Sequence, residues 1–299
     1  MLLPVKADLL SLFCCPVGRS ESLQLKATET EDGEVVSGCI HCDDCGRDYP
    51  IRGGIAHLVA DGALPTEGWQ RNESGRLVTE TRRDTTRPCR QRDTAIELDA
   101  IVSALRPTSD ENVLDLGAGT GRLTAALASA GATVVAIDLS PKSLQLNRMK
   151  CLQEGFSARV CHVVADACRL PLRESTVDKG RKRHAPRAHI NPHEERKRCW
   201  EEIHRVLRTG GRAAMTVYNY SWSQRRRRVR REGSHEGDLY FYRFERAELA
   251  TLLNGFRKRW VSGIRNLPDC LALPVLDRMR AFPPLAAQSS DLLFAVADK

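Results

Sequence analysis

From residue 96 onward the apolar residues alternate between two spacings. IELDAIVSAL (96–105) carries its apolar positions at helical intervals, and Pro107 closes it. NVLDL (112–116), TVVAID (133–138) and RVCHVVAD (159–166) are short and nearly continuous in apolar character, as strands buried on both faces require. Between them, RLTAALASA (122–130) and SPKSLQLNRMKCLQEG (140–155) read as helices. HEERKRCWEEIHRVLR (193–208) is a further helix, and a glycine turn leads from it into the strand RAAMTVYN (212–219). The helix RAELATLL (246–253) and the strands RWVSGI (259–264) and DLLFAVAD (291–298) complete the pattern. Such alternation predicts an α/β fold with a mostly parallel sheet and helices on both faces. Residues 1–62 follow a different pattern, rich in cysteine, and 63–95 form a polar stretch with few apolar residues. The predicted organisation is therefore a small module at 1–62, a linker at 63–95 and a larger domain at 96–299.

Composition narrows the class. Hydrophobic residues make up 41% of the 299 and charged ones 28%, an ordinary globular mixture. No run of about 18 apolar residues is present, so no spanning segment and no membrane partner are expected. The opening MLLPVKADLLSLFCCP is broken by Lys6 and Asp8 and lacks the order of a signal peptide. The 11 cysteines are an odd number scattered over a long chain, which points to reduced thiols, some of them available to a metal, in the cytoplasm. Net charge is +8, and it is uneven: residues 179–231 hold 17 Lys and Arg against four Glu, a local +13. A region of that kind attracts phosphates or other anions, or is simply a solvated face.

VLDLGAGTGRL (113–123) is the most informative stretch. A strand ending at Asp115-Leu116 runs into Gly117, Ala118, Gly119 and Gly121, then into a helix. Glycines there permit positive φ and close approach of a ligand, and the helix start offers free N–H groups. Asp138 ends the next strand and Asp166 the one after it. Ligands of open parallel sheets sit at the carboxyl ends of the strands, so three successive strand tips bearing Asp form a coherent site. A carboxylate at 138 can accept both hydroxyls of a ribose, and one at 166 an adenine amino group.

This spacing, D-x-G-x-G-x-G, then ID, then AD-A-x-x-LP, resembles the class I S-adenosylmethionine-dependent methyltransferases, and most of all the subgroup of the ubiquinone and menaquinone C-methyltransferases. EEIHRVLRTGGRAAMTVYN (201–219) is similar to that family's helix, turn and fifth strand. The resemblance covers 96–299 and implies a Rossmann-like domain with a seven-stranded sheet. It implies S-adenosyl-L-methionine with Asp115, Gly117 and Gly119 along the methionine part, Asp138 at the ribose and Asp166 at the adenine, and Ala118, Gly121, Leu139 and Ala167 in the same binding set. The family shares no universal catalytic residue, and none is assigned.

The N-terminal module holds Cys42-Asp-Asp-Cys45-Gly46, a knuckle spacing that suits one tetrahedral zinc ion. Cys42 to Ile55 resembles the zinc-ribbon activator subunit of tRNA and protein methyltransferases. Cys15-Pro16-Val17-Gly18 resembles the other knuckle, with glycine where the last cysteine belongs. The metal ligands this implies are Cys15, Cys42 and Cys45. Cys14, Cys39 or His41 could stand in for the fourth, or the ribbon holds no ion.

One stretch departs from the pattern. The resemblance puts a central fourth strand at VDKGRKRHAPRAHI (177–190), yet it is basic, lacks an apolar run and contains Pro186. The expectation is a disrupted fourth strand, absent or greatly shortened, or a local reading-frame alteration. His184, His189 and His193 are weak candidates for a base. Methyl transfer to a small molecule is the favoured reading. RNA as acceptor, using the basic 179–231 region, and a catalytically impaired relative are the alternatives.

Overall fold

The computed structural model describes residues 10–60, 88–182, 193–235, 239–264 and 292–299. Its strands are β1 (Leu23–Glu31), β2 (Glu34–Cys42), β3 (Asp48–Arg52), β4 (Ile55–His57), β5 (Asn112–Leu116), β6 (Thr133–Asp138), β7 (Val160–Val164), β8 (Val177–Lys182), β9 (Leu207–Tyr218), β10 (Glu232–His235), β11 (Leu239–Tyr242), β12 (Lys258–Ile264) and β13 (Leu292–Asp298). Its helices are α1 (Pro88–Leu105), α2 (Arg122–Ser129), α3 (Pro141–Gln153), α4 (His193–Val206), α5 (Trp222–Arg226) and α6 (Arg246–Leu252).

One sheet of 11 strands runs in the order β1-β2-β3-β4-β7-β6-β5-β8-β9-β13-β12, and β10 pairs with β11 apart from it. Strands β4, β7, β6, β5, β8 and β9 are mutually parallel, and β13 is antiparallel between β9 and β12. The seven strands from β7 to β12 are the expected methyltransferase sheet. The count of seven is corrected to 11 because the N-terminal strands do not close on themselves. β4 pairs in parallel with the edge strand β7, Ile55 opposite His162 and His57 opposite Val164. An edge that would expose unpaired backbone groups is covered in this way. Arg148 of α3 braces the junction, reaching Glu34 at 2.6 Å and the carbonyl of Gly53 at 2.9 Å.

The core lies on both faces of the sheet. Trp200, Ile203 and Val206 of α4 pack on Leu114, Ile137 and Met215, while Ile101 and Leu105 of α1, Leu127 of α2 and Leu144 of α3 pack with Val113, Val134 and Ala214. Val113 and Leu114 thus face opposite ways, as pleating demands. Helix α3 starts where the Ser140 hydroxyl accepts the Ser143 N–H at 3.2 Å, with Pro141 in the first turn.

The disrupted fourth strand is corrected over 177–182. β8 pairs with β5 along Val113–Leu116 and with β9 along Arg212–Met215. Residues 183–192 lie outside the described residues, so the rest of the basic stretch is not placed. Lys179 and Arg181 fit because each has its own solution. Lys179 lies at the amino end of the strand and meets Glu111 at 2.9 Å. Gly180 leaves its face to Leu207 and Ile203 of the neighbouring elements. Arg181 is buried directly opposite Asp115 and bonds its carboxylate at 2.6 Å, the two side chains being 2% and 0% exposed. An ion pair shared across two strands replaces the apolar residue expected there.

Removing one member of a buried pair strands the other charge, at a cost of about 3–5 kcal/mol. Arg181→Met is therefore expected to lower unfolding stability by about that amount. Arg181→Met combined with Asp115→Asn is expected to recover most of it, as read by chemical denaturation.

Candidate functional site

The parallel order puts the ends of β5, β6 and β7 side by side on the carboxyl edge of the sheet. The turn after β5 folds over this edge. The N–H groups of Gly117 and Ala118 donate to the Ile137 carbonyl at 2.8 and 3.0 Å, which ties the turn to β6. Gly119 has φ 55°, and a side chain there would meet nothing within 4 Å, so its role is backbone conformation beside open space. Gly121 is different. A Cβ there would sit 2.3 Å from Asn147 Oδ1, so this glycine lets α2 pack against α3.

Asp138 is half-buried at the tip of β6. Its two carboxylate oxygens accept the N–H of Gly119 at 2.8 Å and of Ser140 at 2.9 Å. Burial pushes its carboxyl above the usual carboxylate range, against these donors, which favour the charged form. Asp166, half-buried after β7, accepts the Cys168 N–H at 2.9 Å. Leu139 and Ala167 are half-buried beside them, and Ala118 is buried. Eight of the nine sequence-predicted residues thus share one edge. Asp115 alone among the acids lies beneath it, with no exposure: Thr124 donates to one of its oxygens at 2.7 Å and Arg181 holds the other.

The cysteine cluster is assembled by the turn after β2 and the segment before β1. The Sγ atoms of Cys15, Cys42 and Cys45 all lie within 4.8 Å of one another, with Cys15 and Cys45 at 3.6 Å. Burial raises the Cys15 thiol, but the Tyr49 hydroxyl at 3.1 Å and the N–H groups of Gly18 and Val17 outweigh it and bring it to about 7. Cys14, Cys39 and His41 do not join this group among the described residues. His41 is bound to Asp48 at 2.7 Å and Cys39 donates to the same carboxylate at 3.6 Å. His184 and His189 lie outside the described residues, as does the side chain of His193.

Residues 113–211 match the family model described as "Methyltransferase domain". The match covers about a third of the chain. The chain is 35% identical over 120 residues to the demethylmenaquinone methyltransferase of Clavibacter sepedonicus, covering 40% of this chain and 46% of that one. It is 34% identical over 113 residues to methyltransferase GfsG of Streptomyces halstedii, covering 36% and 38%. These matches span less than half the length of the curated relatives. The solved structure of Burkholderia thailandensis 1,6-didemethyltoxoflavin-N1-methyltransferase, with its substrate and S-adenosylhomocysteine bound, superposes with TM-score 0.51 at 19% identity, covering 80% of this chain and 93% of that one. A possible histamine N-methyltransferase from Thermotoga maritima gives 0.52 at 19%, covering 77% and 99%. At this identity the likeness is one of fold.

Beneath the glycine turn runs a polar chain that sequence reading missed. Arg181 holds Asp115, Asp115 accepts from Thr124, Asn147 donates to Thr124 at 2.9 Å, and His162 meets Asn147 Oδ1 at 3.3 Å. Cys151 also donates to that oxygen, at 3.4 Å. The available signal was a histidine inside the apolar run VCHVV and an asparagine at 147 in a helix that packs on it. Burial, with Arg148 adding to it, pushes His162 down to about 3, so it is neutral and donates through Nε2. Unfolding restores an ordinary imidazole near 6.5, which binds a proton the native state refuses. Stability from this source is fully present above about pH 6.5 and falls as pH drops toward 3, by about 1.4 kcal/mol per pH unit. His162→Gln is expected to flatten that slope in urea titrations between pH 6 and 4, and an unchanged slope counts against the buried neutral histidine.

Proposed function

We propose that this chain transfers the methyl group of S-adenosyl-L-methionine to a small-molecule acceptor. The observation that carries the reading is Asp138, held by two backbone N–H groups at the strand tip beside the open space at Gly119. The donor set suits the cofactor. The carboxylate of Asp138 would accept from the ribose hydroxyls, with Leu139 flanking it. Asp166 and Ala167 would face the adenine. Gly117, Ala118 and Gly119 would line the methionine part, with Asp115 and Gly121 fixing the turn from below. When bound, the cofactor supplies a methyl group already activated on a sulfonium. The protein's part is then to align donor and acceptor and to exclude water, which accounts for much of the rate in such transfers.

Small-molecule acceptors are supported by the names of the relatives, which include demethylmenaquinone methyltransferases. RNA is less well supported, because much of the basic 179–231 region is neutralised internally. Lys179, Arg181, Arg198, Arg205, Arg208 and Arg212 each pair with an acid.

Asp138→Ala is expected to weaken S-adenosylhomocysteine binding by about 1.5–3 kcal/mol, the worth of a charge-assisted hydrogen bond. Calorimetry on the folded variant tests this, and unchanged affinity overturns the assignment.

We further propose zinc at Cys15, Cys42 and Cys45. Zinc–thiolate bonds of about 2.3 Å in a tetrahedron place sulfurs roughly 3.8 Å apart, close to the Cys15–Cys45 separation of 3.6 Å. The fourth family position is Gly18, where a side chain would meet nothing within 4 Å. Metal analysis of protein purified without chelator is expected to show stoichiometric zinc. Gly18→Cys is expected to raise the thermal midpoint in zinc and not in chelator, since metal binding and folding are linked. Absence of metal from both proteins overturns the zinc site.

A further inference from the structure

Strand β9 runs parallel to β8, so its carboxyl end at Tyr218 lies on the same edge as the glycine turn. Asn219 and Ser221 are buried as the chain leaves that edge, and helix α5 follows. Here the surface changes character. Trp222 is 57% exposed, and Arg225, Arg226, Arg227, Arg228 and Arg230 are all exposed. Two neighbouring arginines are answered by acids: Arg225 approaches Glu245 at 3.6 Å and Arg231 bonds Glu248 at 2.8 Å. Arg226 lies over the Trp222 ring at 5.4 Å. Arg227, Arg228 and Arg230 have no ion pair among the described residues. The protein therefore places uncompensated guanidinium groups and one large exposed aromatic on the rim of the candidate site, while it pairs most other cations of the same region.

We propose that residues 222–230 dock the protein on an anionic lipid surface. Guanidinium groups are drawn to acidic headgroups within a Debye length, and tryptophan prefers the depth of the headgroups themselves. A short basic segment beside one exposed indole combines both attractions without spanning the bilayer. The expectation of no membrane partner rested on spanning segments, and no helix among the described residues is long and apolar enough to cross a membrane. Surface docking needs none. A single-stranded nucleic acid would instead require several open aromatic platforms in succession. The other aromatics here are less open than Trp222: Phe241 and Phe244 are buried, and Tyr220 and Tyr242 are half-buried. If the proposed methyl transfer holds, docking on this rim turns the site toward the bilayer, and the acceptor is a lipid-soluble molecule; this consequence alone rests on that reading.

The test is sedimentation of the full chain with vesicles of phosphatidylcholine, with and without phosphatidylglycerol. Binding is expected only with the anionic lipid and falls as salt rises. Arg227→Ser, Arg228→Ser and Arg230→Ser are each expected to weaken partitioning about fivefold, and about a hundredfold together. Trp222→Ala is expected to weaken the binding that survives at high salt. Equal binding to both vesicle types, no binding, or arginine variants that bind as tightly as the parent would each overturn the proposal, as would salt-sensitive capture of RNA without capture of vesicles. Calorimetry with S-adenosylhomocysteine separates the two readings. Vesicle binding without nucleoside binding sinks methyl transfer and leaves the docking surface standing; nucleoside binding without vesicle binding does the reverse.

Discussion

The contact between Arg181 and Asp115 decides whether this chain can form its sheet at all. β8 sits inside the sheet between β5 and β9, and its sequence brings a guanidinium there. An isolated buried cation costs more than a domain's whole stability. Asp115 removes that cost because the register sets the two residues directly opposite each other. The same carboxylate accepts from Thr124 in the first turn of α2, so the pair also fixes where the helix begins. The glycine turn lies between these two anchors. Its shape is thus set by an ion pair below it and by Asp138 beside it.

Such a pair is a weak source of stability, since the desolvation of both charges offsets most of their attraction. Its stronger effect is on register. A shift of one residue would turn Arg181 toward Leu207 and Ile203, where Gly180 now stands, and would leave Asp115 without a cation. The buried chain onward through Asn147 to His162 carries the constraint to β7, and β7 is also where the N-terminal strands attach. One continuous sheet therefore joins the cysteine module to the glycine turn, and the polar path runs from that turn to the strand on which the module docks.

The parts legible in sequence were those whose signal is local. The glycines, Asp138 and Asp166 declare themselves because each strand, turn and helix is short and regular. The knuckle at Cys42 and Cys45 is equally local, and Cys15 was found by its neighbours Pro16 and Val17. What was not legible depends on partners far away in sequence. Arg181 reads as a residue that cannot be buried until Asp115 is placed opposite it. The continuation of β4 onto β7 leaves no mark, because any edge strand of three residues offers the same backbone donors. His162 and Asn147 stand 15 residues apart in the sequence and meet only once α3 is packed on β7.

Charge is sorted by the direction of the strands. On the amino edge, Asp178 binds Arg208 at 2.8 Å, Lys179 binds Glu111 at 2.9 Å and Asp298 binds Arg212 at 2.7 Å. These pairs are closed on themselves. On the carboxyl edge, Asp138 and Asp166 have only backbone N–H partners among the described residues. A carboxylate satisfied by backbone donors keeps lone pairs free for a ligand, whereas one clasped by arginine has spent much of its capacity. The exposed arginines of 225–230 stand on this same edge, past the end of β9, and none of them reaches Asp138 or Asp166. The edge thus keeps acceptors inside and cations outside, an arrangement that lets a neutral or cationic ligand bind at the strand tips while the rim attracts anions.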